Sequence, residues 1–378
     1  MRINPRTHAR RWLTRARLPV QALLALLLVV PVVAQNRPAE SRMQGEGSLK
    51  AMTYNMYAGT EYAGVTDPNL DVVLQAVTNM ILDARASDPP GRAQAIARQI
   101  AATRPHLVSL QEVATWSTGP TKDNLTVEFD YLQLLLDTLA AQGAQYTPVA
   151  SFTIWDVTVP STFGFVRNTW RVAILARADL KPEDISFTNV QAAKWLPGNT
   201  LLIPLPALNG RPDLCPVPLT SSLCVMPFPR GWASVDVMYR GKQLRYINAH
   251  LESSSASRNI RQGLELLTGA ANTALPVVVA ADLNCDLSNP SDPKYPTCLN
   301  FLNAGFIDAW SAANPSEPGY TKDLPVMTKR GDYVMVLGRF RVQAAALVGE
   351  EVGDMTPTGL WPSNHCGVVA RLQLPGEE

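Results

Sequence analysis

The feature that most restricts this chain is a set of short apolar runs that stop abruptly at an acid, an amide or a histidine. Leu275-Pro276-Val277-Val278-Val279-Ala280-Ala281 runs into Asp282-Leu283-Asn284. A run of that length reads as a buried strand, whose alternation lets Asp282 and Asn284 face one way while Leu283 faces the core. Taken alone it reads more simply as a strand and a turn, since Asp and Asn are common turn formers. The pattern recurs, however. Leu49 to Met56 alternates and ends near Asn55, and Leu107-Val108-Ser109-Leu110 ends in Gln111-Glu112. Tyr246-Ile247 leads to Asn248-Ala249-His250, Asp332 opens the run to Leu337, and Asn364-His365 leads into the apolar stretch from Cys366 to Leu372.

Helical spacing separates these runs. Leu70, Val73, Leu74, Val77 and Ile81 lie on one face from about Asn69; Ile96, Ala97 and Ile100 follow the break Asp88-Pro89-Pro90-Gly91 and close before Pro105. Leu132, Leu135, Leu136 and Leu139 predict a helix from about Glu128, Ile260, Leu264 and Leu267 one from about Ser257, and a further helix falls near Thr297 to Asn303. Strands are expected around 146–155 and 171–176, and a hairpin over 232–239 and 243–250 turning at Arg240-Gly241. Strands alternating with helices predict an α/β protein. The Pro-rich stretch 195–231 reads as a long excursion loop within the domain 49–374, not a separate domain.

The first 34 residues carry six arginines and no acid, and an apolar run from Val20 to Ala34 ends in small residues. Basic region, apolar run and small-residue end together read as a cleaved signal peptide, the run being about 15 residues against the ~20 of a membrane span. Residues 35–48 read as a flexible leader. The chain is therefore expected to be secreted or periplasmic. Without those 34 residues it holds 27 Lys+Arg against 32 Asp+Glu, a formal charge of −5, which supplies no general field for nucleic acid. All five cysteines follow residue 34, and export permits disulfides. Cys215 with Cys224 and Cys285 with Cys298 would each close a short, turn-rich loop, leaving Cys366 over, although spacing alone does not fix connectivity.

The strand ends supply acids, amides and two histidines, and no thiolate cluster. Oxygen-rich sets of this kind suit Mg²⁺ or Mn²⁺, and an ion held by one or two carboxylates completes its shell with water and phosphate oxygens. Phosphoester hydrolysis by water is the chemistry such a site favours.

The ordered set Thr53-Tyr54-Asn55, Leu110-Gln111-Glu112, Asn248-Ala249-His250-Leu251, Ala281-Asp282-Leu283-Asn284, Gly331-Asp332-Tyr333 and Ser363-Asn364-His365 resembles the endonuclease/exonuclease/phosphatase (deoxyribonuclease I-like) superfamily over about residues 49–372. That group includes secreted deoxyribonucleases, abasic-site endonucleases, bacterial sphingomyelinases and inositol polyphosphate 5-phosphatases. The resemblance implies a four-layer α/β sandwich, two mixed β-sheets packed face to face with helices outside. It implies Glu112 as a metal ligand with Asn55 beside it, Asp282 orienting or deprotonating the attacking water, and Asn284 holding a phosphate oxygen. It implies His250 and His365 on the scissile phosphate, with Asp332 pairing to His365. Two departures stand out: Ala281 where the family has Gly, and Asn364, the third candidate ligand position, where it has Asp. An amide oxygen still ligates but brings no charge, so a single tightly used ion is expected.

His106 reads as a loop or capping residue, Cys366 as a buried structural thiol, Trp155, Trp170 and Trp195 as packing, and Arg171 as a solvated side chain. The function expected is a monomeric, metal-dependent phosphodiesterase with no stable protein partner, acting on nucleic acid, lipid or a small phosphodiester. The alternative is a catalytically silent binding protein that keeps the fold.

Overall fold

A computed structural model describes residues 38–45, 47–211, 213–220 and 223–374. The expected signal peptide and the start of the leader lie outside the described residues.

Seven strands form the first sheet: β1 (Leu49–Asn55), β2 (Leu107–Thr121), β3 (Asn124–Asp130), β4 (Tyr146–Ser161), β5 (Gly164–Arg177), β15 (Arg341–Val348) and β16 (Gly367–Gln373), in the order β15-β16-β1-β2-β5-β4 with β3 on β2. The second sheet has the order β13-β14-β12-β11-β10-β6, from β6 (Ile185–Lys194), β10 (Gly231–Tyr239), β11 (Lys242–His250), β12 (Val277–Asp282), β13 (Ile307–Asp308) and β14 (Asp332–Leu337). Each sheet holds one parallel pair, β1/β2 and β11/β12, among antiparallel neighbours. Both sheets are therefore mixed, and they pack face to face. α2 (Leu70–Ala86), α3 (Pro89–Thr103) and α4 (Tyr131–Ala141) cover the first sheet, while α5 (Ala256–Thr268) and α6 (Tyr295–Asn303) cover the second. A turn of helix, α1 (Ala39–Arg42), precedes β1, and α7 (Ala309–Ala313) lies beside β14 and β15. The result is the α/β four-layer sandwich that the resemblance implies.

Period-two alternation sets which residues meet. In β12, Val278 and Ala280 pack into the inter-sheet core while Val277, Val279 and Ala281 pack under α5 and α6. Asp282 continues the first row and so points between the sheets. The same parity puts Leu244, Tyr246, Asn248 and His250 of β11 on the inner face, with Val336, Val334 and Asp332 of β14. Polar groups then tie the sheets together. Asn248 donates to the carbonyls of Leu110 (2.9 Å) and Ala173 (2.8 Å) and accepts from Gln111 Nε2 at 2.7 Å. Tyr246 donates to Met52 O at 3.0 Å and meets Ser109 Oγ at 3.1 Å.

Several expectations are revised. The 195–231 stretch is not a structureless loop: β7 (Leu201–Pro204), β9 (Leu223–Phe228) and β8 (Val217–Thr220) make a small antiparallel sheet, and Leu205, Leu208, Met226 and Phe228 anchor it in the core. Its disulfide is Cys215–Cys224, and the second is Cys285–Cys298. Asp88-Pro89-Pro90-Gly91 starts α3 instead of only breaking the chain, Asp88 capping Gly91 N. α4 begins after its cap Asp130, because 124–130 is strand β3. Within the leader, Met43 is buried against the core and α1 gives it local order.

The cross-sheet ties predict a specific weakness. Asn248→Leu keeps the volume but strands two carbonyls and the Gln111 amide, so it should lower unfolding free energy by roughly 3 kcal/mol or more. Urea unfolding followed by tryptophan fluorescence measures this, with Ser109→Ala as the milder control.

Candidate active site

Register places three candidate residues in one line. His250 pairs with Asp282 across β11/β12, and Asp282 pairs with Asp332 across β12/β14. All three lie on the inner face and are buried. His250 Nε2 lies 3.4 Å from Asp282 Oδ2. Asp282, Asp332 and His365 each offer a ligand atom within 4.8 Å of one another.

The first sheet brings the facing half. β2 does not end at its acid: it runs on to Thr121, and a bulge between Leu110 and Val113 turns Glu112 into the left-handed region at φ 52°. The bulge re-aims the carboxylate out of the ladder. Glu112 Oε2 accepts from Ala58 N at 2.9 Å, and its Oε1 lies 3.9 Å from His250 Nε2. Asn55 bridges the halves, its Nδ2 donating to Glu112 Oε1 (3.3 Å) and Asp282 Oδ2 (3.1 Å). Its Oδ1 accepts from Tyr57 N at 2.9 Å. Asn55 therefore links the two acids, and its oxygen, with one lone pair on the Tyr57 N–H, keeps a second for a ligand.

His365 Nδ1 donates to Asp332 Oδ2 at 2.8 Å, and Thr321 Oγ1 donates to the same oxygen at 2.7 Å. The nearby Asp332 charge raises His365 above its usual value even though burial opposes it. His250 is pushed the other way, by burial and then by the Arg230 guanidinium. Burial alone would raise Asp282, but Lys322, His250 and His365 together hold it below the usual carboxylate range. The site thus favours an ionised Asp282 and a neutral His250, while Asp332, which burial raises, and His365 share a proton between them.

Asn284 is redirected. β12 ends at Asp282, and Asn284 adopts φ 52°, its N–H closing a turn onto Asp282 Oδ1 at 3.0 Å. Its Nδ2 donates to Leu251 O at 3.0 Å, and its Oδ1 accepts from Lys322 Nζ at 2.6 Å. The amide expected to hold a phosphate oxygen also holds a lysine beside the site. Asn364 accepts a long bond from Ser363 Oγ (3.4 Å), and its carbonyl accepts from Asp323 N at 3.1 Å, tying the Lys322 loop down.

Sequence reasoning missed Lys322, Thr321 and Arg230. No pattern marks the first two, which sit in an irregular loop. Arg230 was accessible through register: a turn at Arg240-Gly241 pairs Gly231 with His250, which sets Arg230 just beyond. Other assignments divide. His106 is buried, accepting from Lys50 N at 2.9 Å and held neutral, its pKa pushed down to about 3 chiefly by burial; it is a core histidine, not a surface one. Arg171 is half-buried on Asp130. Trp155, Trp170 and Trp195 are buried, and so is the Cys366 thiol.

A hard cation fits the donors present. Asp332 Oδ1 is buried without a hydrogen-bond partner among the described residues, and Glu112 and Asp282 add two carboxylates. His365 is the poorer ligand in its protonated form, which the Asp332 charge favours, because both ring nitrogens then carry hydrogen.

A two-sheet α/β sandwich that gathers carboxylates, an imidazolium and a lysine at the ends of its inner strands defines a hydrolase scaffold built for anionic esters. The chain belongs to the Endonuclease/Exonuclease/phosphatase family, which it matches over residues 52–365; members of that family are phosphoester hydrolases and usually use divalent metals. Solved structures of like fold include a family protein from Bacteroides thetaiotaomicron, 15% identical with TM-score 0.53, covering 86% of this chain and 97% of that one. A mannosyl-6-phosphatase from Bacteroides thetaiotaomicron is 14% identical with TM-score 0.51, covering 86% and 99%. A family protein from Leptotrichia buccalis is 15% identical with TM-score 0.50, covering 86% and 100%. No match was found among curated proteins.

The Asp332–His365 pair has a readable signature. The His365 imidazole signal followed by NMR should titrate above about 6.5, and lower in Asp332→Asn, which removes the largest charge opposing burial. By linkage, the stabilisation from the raised His365 is present below about pH 6.5 and is lost as pH rises through the raised value, while Asp332, which burial raises, gives up its charge as pH falls. Coincident midpoints in the two proteins would show that the pair does not operate.

Proposed function

We propose that this protein is an exported, Mg²⁺- or Mn²⁺-dependent phosphoester hydrolase in which water attacks phosphorus. The observation that carries the reading is the single cluster joining Glu112, Asn55, His250, Asp282, Asp332 and His365 from both sheets. Two disulfides support export.

Asp282, kept ionised and buried, is the group that orients the water and takes its proton. His365, kept protonated by Asp332, donates to a phosphoryl oxygen. Lys322, held by Asn284, contributes a further positive charge beside Asp282. His250 is neutral and offers hydrogen bonding without charge. Glu112 and Asp282 would hold the ion, which when bound offsets charge on the phosphoryl oxygens.

For the substrate, a small or lipid phosphodiester is favoured over nucleic acid. A cavity of about 590 Å³ between α2 and the 61–64 loop is lined by Glu61, Asp71 and Asp83. Of these acids Glu61 feels the centre, raised first by burial and then by the charge of Glu112. An acidic wall repels a polyanion.

A panel of aryl phosphodiester, single-stranded DNA, RNA, sphingomyelin vesicles and phosphoinositides, each titrated with Mg²⁺ and Mn²⁺, tests this. Turnover should need the ion, vanish with EDTA, and fall roughly 10²–10³-fold in Glu112→Ala. Turnover that ignores EDTA would falsify the metal dependence. No ion uptake by calorimetry together with no turnover would favour a silent binding protein.

A further inference from the structure

Three arginines are more than nine-tenths buried among the described residues, and two have obvious partners. Arg330 forks onto Asp308 at 2.8 and 3.0 Å. Arg92 donates to the carbonyls of Pro362 (2.9 Å), Met56 and Tyr57 (2.6 Å). Arg230, 3% exposed, is different. Its Nη1 meets His250 Nε2 at 2.7 Å and Nδ1 at 3.0 Å, and its Nη2 reaches Ser253 Oγ at 3.3 Å. Its Nε is buried with no partner among the described residues, as is that of Arg330, which has Asp308 for its charge. No carboxylate or carbonyl among the described residues is hydrogen-bonded to it. The rings of Phe228 (4.8 Å) and Trp170 (5.1 Å) flank the guanidinium, but aromatic faces recover only part of the hydration a buried cation loses.

We propose that the missing counter-charge is the substrate's phosphoryl group, which makes Arg230 an anion-binding residue of the active site. The inference rests on the phosphoester reading above and adds to it the residue that takes the non-bridging oxygens. Arg230 is in the right place. The nitrogen it touches, His250 Nε2, lies 3.4 Å from Asp282 Oδ2 and 3.9 Å from Glu112 Oε1. Along the row His250–Asp282–Asp332, Arg230 therefore stands at one end, and Lys322 and His365 stand at the other. A phosphoryl group over Asp282 lies between fixed positive charges. Guanidinium suits that task, since its planar fork donates two parallel bonds to phosphate.

The backbone at this point is also held. Gly231 pairs with His250, and any Cβ there would come within 2.5 Å of Ala193 O and 2.8 Å of Ile154 Cγ2. The glycine lets β10 pass closely, so Arg230 leaves the sheet from a rigid position.

The test uses the full exported chain with Mg²⁺, inorganic phosphate as probe, and Arg230→Met and Arg230→Lys. Wild type should bind phosphate by calorimetry and gain thermal stability from it. Arg230→Met should bind it roughly ten- to hundredfold more weakly, the cost of a charge-assisted hydrogen bond. Its midpoint of unfolding without phosphate should be unchanged or higher, because an unpaired buried charge has gone. Arg230→Lys should recover affinity only in part, and it keeps the comparison available should the methionine variant misfold. Phosphate affinity within twofold of wild type in either folded variant overturns the proposal, as does a lowered midpoint with unchanged affinity. A wild type that neither hydrolyses the panel nor binds phosphate overturns the functional reading itself; an active wild type with unaffected variants overturns only the role of Arg230.

Discussion

The site depends on holding two carboxylates side by side inside the protein. Asp282 and Asp332 are direct cross-strand partners, and both are buried. Like charges in that relation repel, and burial strips them of water. They persist because the surroundings answer each one differently. Asp332 shares a proton with His365 and accepts from Thr321, while Asp282 is held ionised by Lys322 and the amide of Asn55. Two chemically identical groups thereby acquire distinct jobs, one tuning an imidazolium and the other free to act on water.

That division needs the two sheets to meet in one register. Asn55 and Glu112 belong to the first sheet, Asp282 and His250 to the second. The Asn248–Gln111 and Tyr246–Ser109 contacts lie directly beneath, on the same inner-face rows. A sheet-on-sheet core made only of aliphatic groups would tolerate small slides. Directional bonds with buried partners do not, because each slide strands a polar group. The polar layer thus aligns the centre as well as binding the sheets.

How much of this the sequence disclosed follows from what kind of order each part has. Strand parity and abrupt strand ends are local, so the inner-face position of Asp282, His250 and Asp332 could be read from alternation. The sandwich followed from the ordered motifs. Glu112 was legible as an acid at a strand, but the bulge that aims it depends on pairing with β5 across some 60 residues. The surroundings of Asn284 were not legible, because its turn geometry is set by Asp282 Oδ1 and its amide by Leu251 and Lys322, none of which leaves a pattern. The 195–231 segment read as a loop because prolines mask short edge strands, which tolerate them.

The charges in contact at the centre decide how ligands must enter. Three acids, Glu112, Asp282 and Asp332, are set among three basic side chains, His365, Lys322 and Arg230. The departure to Asn364 removes the acid that would have tipped this balance. A divalent ion entering alone adds two uncompensated positive charges, and a phosphoryl group alone adds negative charge among three acids. Entering together they nearly cancel. Each therefore lowers the electrostatic cost of the other, and by linkage the coupling is the same whichever is followed.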